Sequence, residues 1–84
     1  MRDARLHEWA YNSQVMITYS VDVEQETDGR WIAEIADLPG VMVYGATADE
    51  ARAKVQALAL RVVADRLEHG EEEPSLLSIS FQPA

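Results

Sequence analysis

The chain has 84 residues, a formal net charge of −8 and no cysteine, with 48% hydrophobic and 26% charged residues. That length allows one domain, in which one sheet face can be buried against one helix but a deep substrate cleft cannot easily be built as well. Carboxylates repel phosphate, so the charge opposes nucleic acid and anionic membrane, while the lack of cysteine excludes disulfides and thiolate metal sites. No apolar run approaches the roughly 20 residues that cross a bilayer, and "MRDARLHEWAYNSQ" lacks the apolar core of a signal peptide, so a cytoplasmic protein is expected.

Residues 1–14 alternate charge and aromatics without a clear period and read as an N-terminal arm, with a short helix and a loose segment both open. Its "LHEWAY" segment carries apolar groups large enough to dock on the body of the domain or on a second copy. The core follows, over 15–82. In "MITYSVDVEQ", Ile17, Tyr19, Val21 and Val23 alternate with Thr18, Ser20, Asp22 and Glu24, the period of two of a half-buried strand. Asp28-Gly29 supplies the positive-φ signal of a hairpin turn. "WIAEIA" reads as the return strand, with Trp31, Ala33 and Ile35 alternating against Glu34.

"DLPG" closes that strand: Pro39 fixes φ and lacks an amide hydrogen, and Gly40 tolerates a positive φ. Leu38, Pro39 and Gly40 are therefore turn residues. "VMVY" is a third short strand. Thr47 and Glu50 then form a T-x-x-E capping box, in which the hydroxyl accepts the N–H three residues on and Glu50 reaches back to the Thr47 amide. The helix is expected to run to about Glu68, with Gly70 as its stop. "EEEP" reads as a solvated linker, and "LLSISF" as a last strand with Leu77, Ile79 and Phe81 on one side. The sum is an α+β fold of order β-β-β-α-β, one antiparallel-rich sheet with one helix on one face, in a single domain.

The helix pattern has two apolar stripes. Ala51, Val55, Leu58 and Val62 are expected to cover the sheet. Ala53, Ala57, Leu60, Ala64 and Leu67 form a second stripe almost opposite, where a surface helix is normally polar. Small alanines and two leucines at heptad-like spacing suit the close approach of another helix, which makes the chain an expected homo-oligomer, a dimer or tetramer.

Catalytic patterns are weak. Asp22, Glu24, Glu26 and Asp28 alternate along one strand with Glu34 on its neighbour, an oxygen-rich set that suits Mg²⁺ or Ca²⁺, yet this face is by default the solvent side of a half-buried sheet. His7 and His69 have no ligand companions at zinc spacing, and His69 fits better as a cation at the helix C-terminus. No serine sits in G-x-S-x-G, and "YGAT" is neither a Walker loop nor a dinucleotide fingerprint. Arg52, Lys54, Arg61 and Arg66 on the helix do not form a basic arm, so direct DNA binding is not expected. No enzyme activity, cofactor or metal is expected.

The stretch from about Ile17 to Glu68 resembles the HicB antitoxin family. The likeness lies in a strand ending in acidic residues, the D-G turn, an aromatic-led second strand, "DLPGV", and G-x-T-x-x-E-A opening the helix. The resemblance implies a partial RNase-H-like core and a binding module that neutralises a HicA-like toxin, a small basic mRNA-cleaving protein, by covering its surface. It also implies oligomers. Full-length relatives add a C-terminal DNA-binding domain, whereas this sequence stops at "SISFQPA", so autorepression is not expected of it. Two other readings stay open: a vestigial RNase-H-like nuclease using Asp22, Glu24 and Glu34 with Mg²⁺, and a stand-alone oligomer with no toxin.

Overall fold

A computed structural model describes residues 15–71 and 76–84. The expected docking of the 1–14 arm, the linker residues 72–75 and the side chain of Leu77 lie outside the described residues. Strands β1 (Val15–Gln25), β2 (Trp31–Glu34) and β3 (Met42–Gly45) precede helix α1 (Ala48–Glu68), and strand β4 (Leu76–Pro83) follows it. The fold is α+β: one sheet of order β3-β2-β1-β4 carries the helix on one face. β1 pairs antiparallel with β2, and β2 with β3, while β1 and β4 run parallel. The parallel pair requires a long crossover, which α1 supplies.

Alternation on β1 decides the faces. Tyr19 and Val21 are buried, joined by Ala33 of β2, by Ile35 just beyond that strand, and by Leu38 and Val41 around the following turn. Ile17, Val23, Trp31, Val43, Ile79 and Phe81 pack partly buried around them. The rings of Tyr19 and Phe81 stack at 6.0 Å between centroids, tilted by 33°, across the β1–β4 register.

Both turns are built by glycine. Gly29 takes φ of 93° and no non-glycine residue has a positive φ among the described residues, so the β1–β2 loop spans Thr27, Asp28 and Gly29. Gly29 donates to the Glu26 carbonyl at 3.0 Å, and Glu26 to that of Arg30 at 2.7 Å. That is a three-residue hairpin with a glycine bulge. In the second turn, Val41 donates to the Leu38 carbonyl at 3.0 Å, with Pro39 and Gly40 (φ 82°) between them, the signature of a type II turn. Ile35 donates to the Val41 carbonyl at 3.1 Å and closes the loop at its base. The regular part of β2 therefore stops at Glu34, two residues earlier than its alternation suggests.

The helix starts and ends as its chemistry dictates. Thr47 has extended backbone and its hydroxyl accepts the Glu50 amide at 3.0 Å. At the other end the Glu71 amide donates to the Arg66 carbonyl and the Gly70 amide, at φ 71°, to that of Leu67, a Schellman motif. The buried helical face differs from the expected one. Ala51 and Val55 are buried as expected, but the row continues through Ala59 and Val63, with Leu58 and Val62 only partly buried beside it. The helix is rolled so that small alanines meet the sheet, and close approach rather than side-chain bulk sets the packing.

Candidate protein-binding surfaces

The turn, the cap and the stripe singled out in the sequence have separate fates. Leu38 is more than a turn residue: it is buried to 2% exposure and ranks with Ile35 and Val55 among the largest fully buried side chains. Pro39 and Gly40 stay exposed and only shape the chain. Glu50 caps the helix differently from the reciprocal box: its Oε1 accepts the amide of Ala46 at 2.7 Å, one residue before Thr47. That amide holds the Glu50 carboxyl below its ordinary value, with the Lys54 ammonium at 3.5 Å adding to the effect. In the hairpin the Arg30 amide and guanidinium hold Asp28 low in the same way. Both are local devices for shaping turns, at the surface.

The second stripe of α1 is wholly exposed. Ala53, Ala57, Leu60, Ala64 and Leu67 lie on the outer side of the helix, with Leu60 at 49% and Leu67 at 43% exposure. At 3.6 residues per turn their mean direction lies roughly 140° from that of the buried row. Arg52 and Gln56 border the stripe on one side, Glu50, Lys54 and Arg61 on the other. Arg52 is paired with Asp49 at 2.8 Å. His69 caps the end, its Nδ1 lying 2.8 Å from the Asp65 carbonyl oxygen.

The sheet face turned away from the helix has nothing packed on it among the described residues. Its residues come from the other parity of each strand, and the register arranges them in rows. Tyr44 lies opposite Ile32, and Ile32 opposite Glu24; Met42 lies opposite Glu34, and Glu34 opposite Asp22. Met42 and Tyr44 are 49% and 43% exposed. The Arg30 guanidinium lies 4.2 Å from the centre of the Tyr44 ring and steadies it at one end of this face. Toward β4 the face turns to hydroxyls and amides, where Thr18 and Ser80 share a hydrogen bond at 3.0 Å and Gln82 donates to Ser20 at 3.3 Å. Sequence reading marked the carboxylates but missed the apolar half, Ile32, Met42 and Tyr44. Their signal was present: they take the parity opposite to Trp31 and Ala33.

The carboxylates of this face do not form a metal cage. Asp22 and Glu34 are cross-strand neighbours, and Glu24 lies one row away opposite Ile32. Among the described residues no three aspartates, glutamates or histidines come together in a way that would hold an ion. A cleft between α1 and β4, lined by Val21, Arg52, Gln56, Phe81, Gln82 and Pro83, has a volume of about 70 Å³. That admits two waters or so; sites for drug-sized molecules occupy several hundred Å³. No helix among the described residues is long and apolar enough to cross a membrane.

No protein-family model matches the chain, and no curated protein or solved structure is significantly similar to it.

Proposed function

We propose that this domain is a protein-binding module of the HicB-like kind, whose role is to neutralise a small basic mRNA-cleaving toxin of the HicA type by direct contact. The observation that carries the reading is the open sheet face, where Asp22 stands opposite Glu34 beside exposed Met42. Two like charges placed directly opposite weaken a sheet, so this pairing costs the isolated domain something that a cationic partner would relieve. Attraction between such a face and a basic protein speeds encounter, and desolvation of Met42, Ile32 and Tyr44 would slow departure. The motif run from "DLPGV" to G-x-T-x-x-E-A supports the same reading. In this account the domain works as an oligomer in the cytoplasm, joined through the outer stripe of α1, and performs no chemistry of its own.

The test is co-expression with the product of a short basic reading frame neighbouring the gene, followed by purification and an RNA-cleavage assay. A stable complex that suppresses cleavage is the expected result. Asp22→Lys with Glu34→Lys should weaken that complex at least ~10-fold, because rim and face charges govern electrostatic capture. Both residues are exposed, so the variant should fold. Absence of a complex at micromolar concentration, with cleavage unaffected, would overturn the proposal.

A further inference from the structure

The outer edge of β4 lies apart from both the open face and the helix stripe. β4 is eight residues long and, among the described residues, bonded on one side only, by β1. The opposite edge of the sheet is guarded by brevity, since β3 has four residues. β4 is twice as long, and among the described residues nothing covers its edge, which proline interrupts only at its end, at Pro83. From Leu76 to Ala84 the sequence contains no charged residue at all. Edge strands are normally protected by lysines, inward charges, bulges or a covering element. The register irregularity of the β1–β4 pair falls at Val15/Met16, before the uninterrupted ladder from Met16 to Val21.

The hydrogen-bond parity of this edge is fixed. Ala84 donates its amide to the Val21 carbonyl at 2.9 Å. In a strand the N–H and C=O of one residue point the same way and alternate along the chain. The backbone groups of Ser78, Ser80 and Gln82 therefore face β1, and those of Ile79, Phe81 and Pro83 face outward. Pro83 thus lacks an amide only on the free side, which is where a strand tolerates proline. Ile79 and Phe81 each present one donor and one acceptor to whatever lies beside them.

We propose that the occupant of this edge is β4 of a second copy, antiparallel about a two-fold axis, joining two sheets into one of eight strands. A two-fold contact needs a self-complementary patch, and an edge strand meets that requirement with its own donors and acceptors. Each copy carries −8, and on neither sheet edge does a strand bring a charged side chain; of the two, β4 offers eight residues and β3 four, so length selects β4. Opposed residues must share a face, which permits a register centred on Ser80. There Phe81 of one copy lies opposite Ile79 of the other, an aromatic–aliphatic pair beside Tyr19, and the two Ser80 side chains meet on the open face.

The test is amide hydrogen exchange on the full chain, read by NMR together with mass by sedimentation, at about 100 µM and on dilution. Ile79 and Phe81 amides should be protected by ~10-fold or more at high concentration and lose that protection on dilution, while Ser80 and Gln82 stay protected throughout. Ser80→Lys places like charges opposite each other and should halve the mass and free the two amides. Leu60→Lys with Leu67→Lys, on the helix stripe, should leave their protection intact. Free exchange of Ile79 and Phe81 in the wild type at high concentration would overturn the proposal. Protection in a species of monomer mass, or unchanged mass and protection in Ser80→Lys, would do the same. Should Ser80→Lys prove unfolded, the dilution series alone decides. Failure to bind a toxin would not touch this result.

Discussion

A Cβ added to Gly45 would lie 2.6 Å from the backbone nitrogen of Ala51 and 3.0 Å from its Cα. The last residue of β3 therefore meets the first turn of α1 backbone to backbone. Its φ is not positive, so the constraint is space and not conformation. Gly45→Ala should destabilise the domain by about 1–3 kcal/mol, the usual cost of forcing extra carbon into a packed site. Chemical denaturation would measure it; a midpoint equal to wild type would mean that the helix start can slide.

Leu38 and Pro39 are neighbours with different jobs, and mutation should separate them. Leu38 fills the core under the turn, whereas Pro39 is exposed and only presets φ. Leu38→Ala should cost about 2–5 kcal/mol, a large part of the stability of a domain this small. Pro39→Ala should cost ~1 kcal/mol or less, through the entropy of the unfolded chain. Equal losses in a urea titration would contradict this division.

The architecture was legible because each element carries its own local signal. β1 alternates cleanly over the eight residues from Ile17 to Glu24, Gly29 and Gly40 mark turns that require positive φ, and Thr47 with Glu50 fixes the helix start. What was not legible depended on tertiary contact. The buried row of α1 includes Ala59, which hydropathy ranks below Leu58, because Gly45, Ala33 and Ala51 bring the helix close to the sheet. The Glu50 carboxylate took the Ala46 amide because the chain entering the helix curls over the cap, a geometry that spacing alone does not specify. The open face was half seen: its carboxylates stand out in sequence, while Ile32, Met42 and Tyr44 were hidden by the assumption that apolar strand residues face inward.

Acid should weaken the helix start and the hairpin together. Glu50 and Asp28 are both held below their ordinary carboxyl values in the folded protein, Glu50 chiefly by the Ala46 amide and Asp28 chiefly by the Arg30 amide. A carboxyl depressed on folding adds stability above its unfolded value and loses it as pH falls through the folded one. The loss should therefore begin near pH 5 and grow below about pH 4, around and under the ordinary range. Glu50→Gln keeps an oxygen for the Ala46 amide but cannot titrate. Its melting temperature should fall less steeply than that of wild type from pH 5 to pH 2. Parallel curves would show that the capping carboxylate contributes nothing pH-dependent.

Leu60 and Leu67 give the most direct test of whether the outer helix stripe has a partner. Both are nearly half exposed and neither touches the core cluster, so Leu60→Lys with Leu67→Lys should leave the melting temperature of the isolated fold nearly unchanged, within the ~0.5 kcal/mol typical of surface changes. The substitution makes the chain less acidic, so weaker association could not be attributed to added net repulsion. If a second helix packs on Ala53, Ala57 and Ala64, the close approach that those alanines allow would be blocked by the long cationic side chains. Sedimentation equilibrium should then show a smaller assembly than wild type at the same concentration. An identical mass distribution would mean that the stripe is solvent-facing in the working protein, and that any oligomer forms elsewhere, with the β4 edge the first place to look.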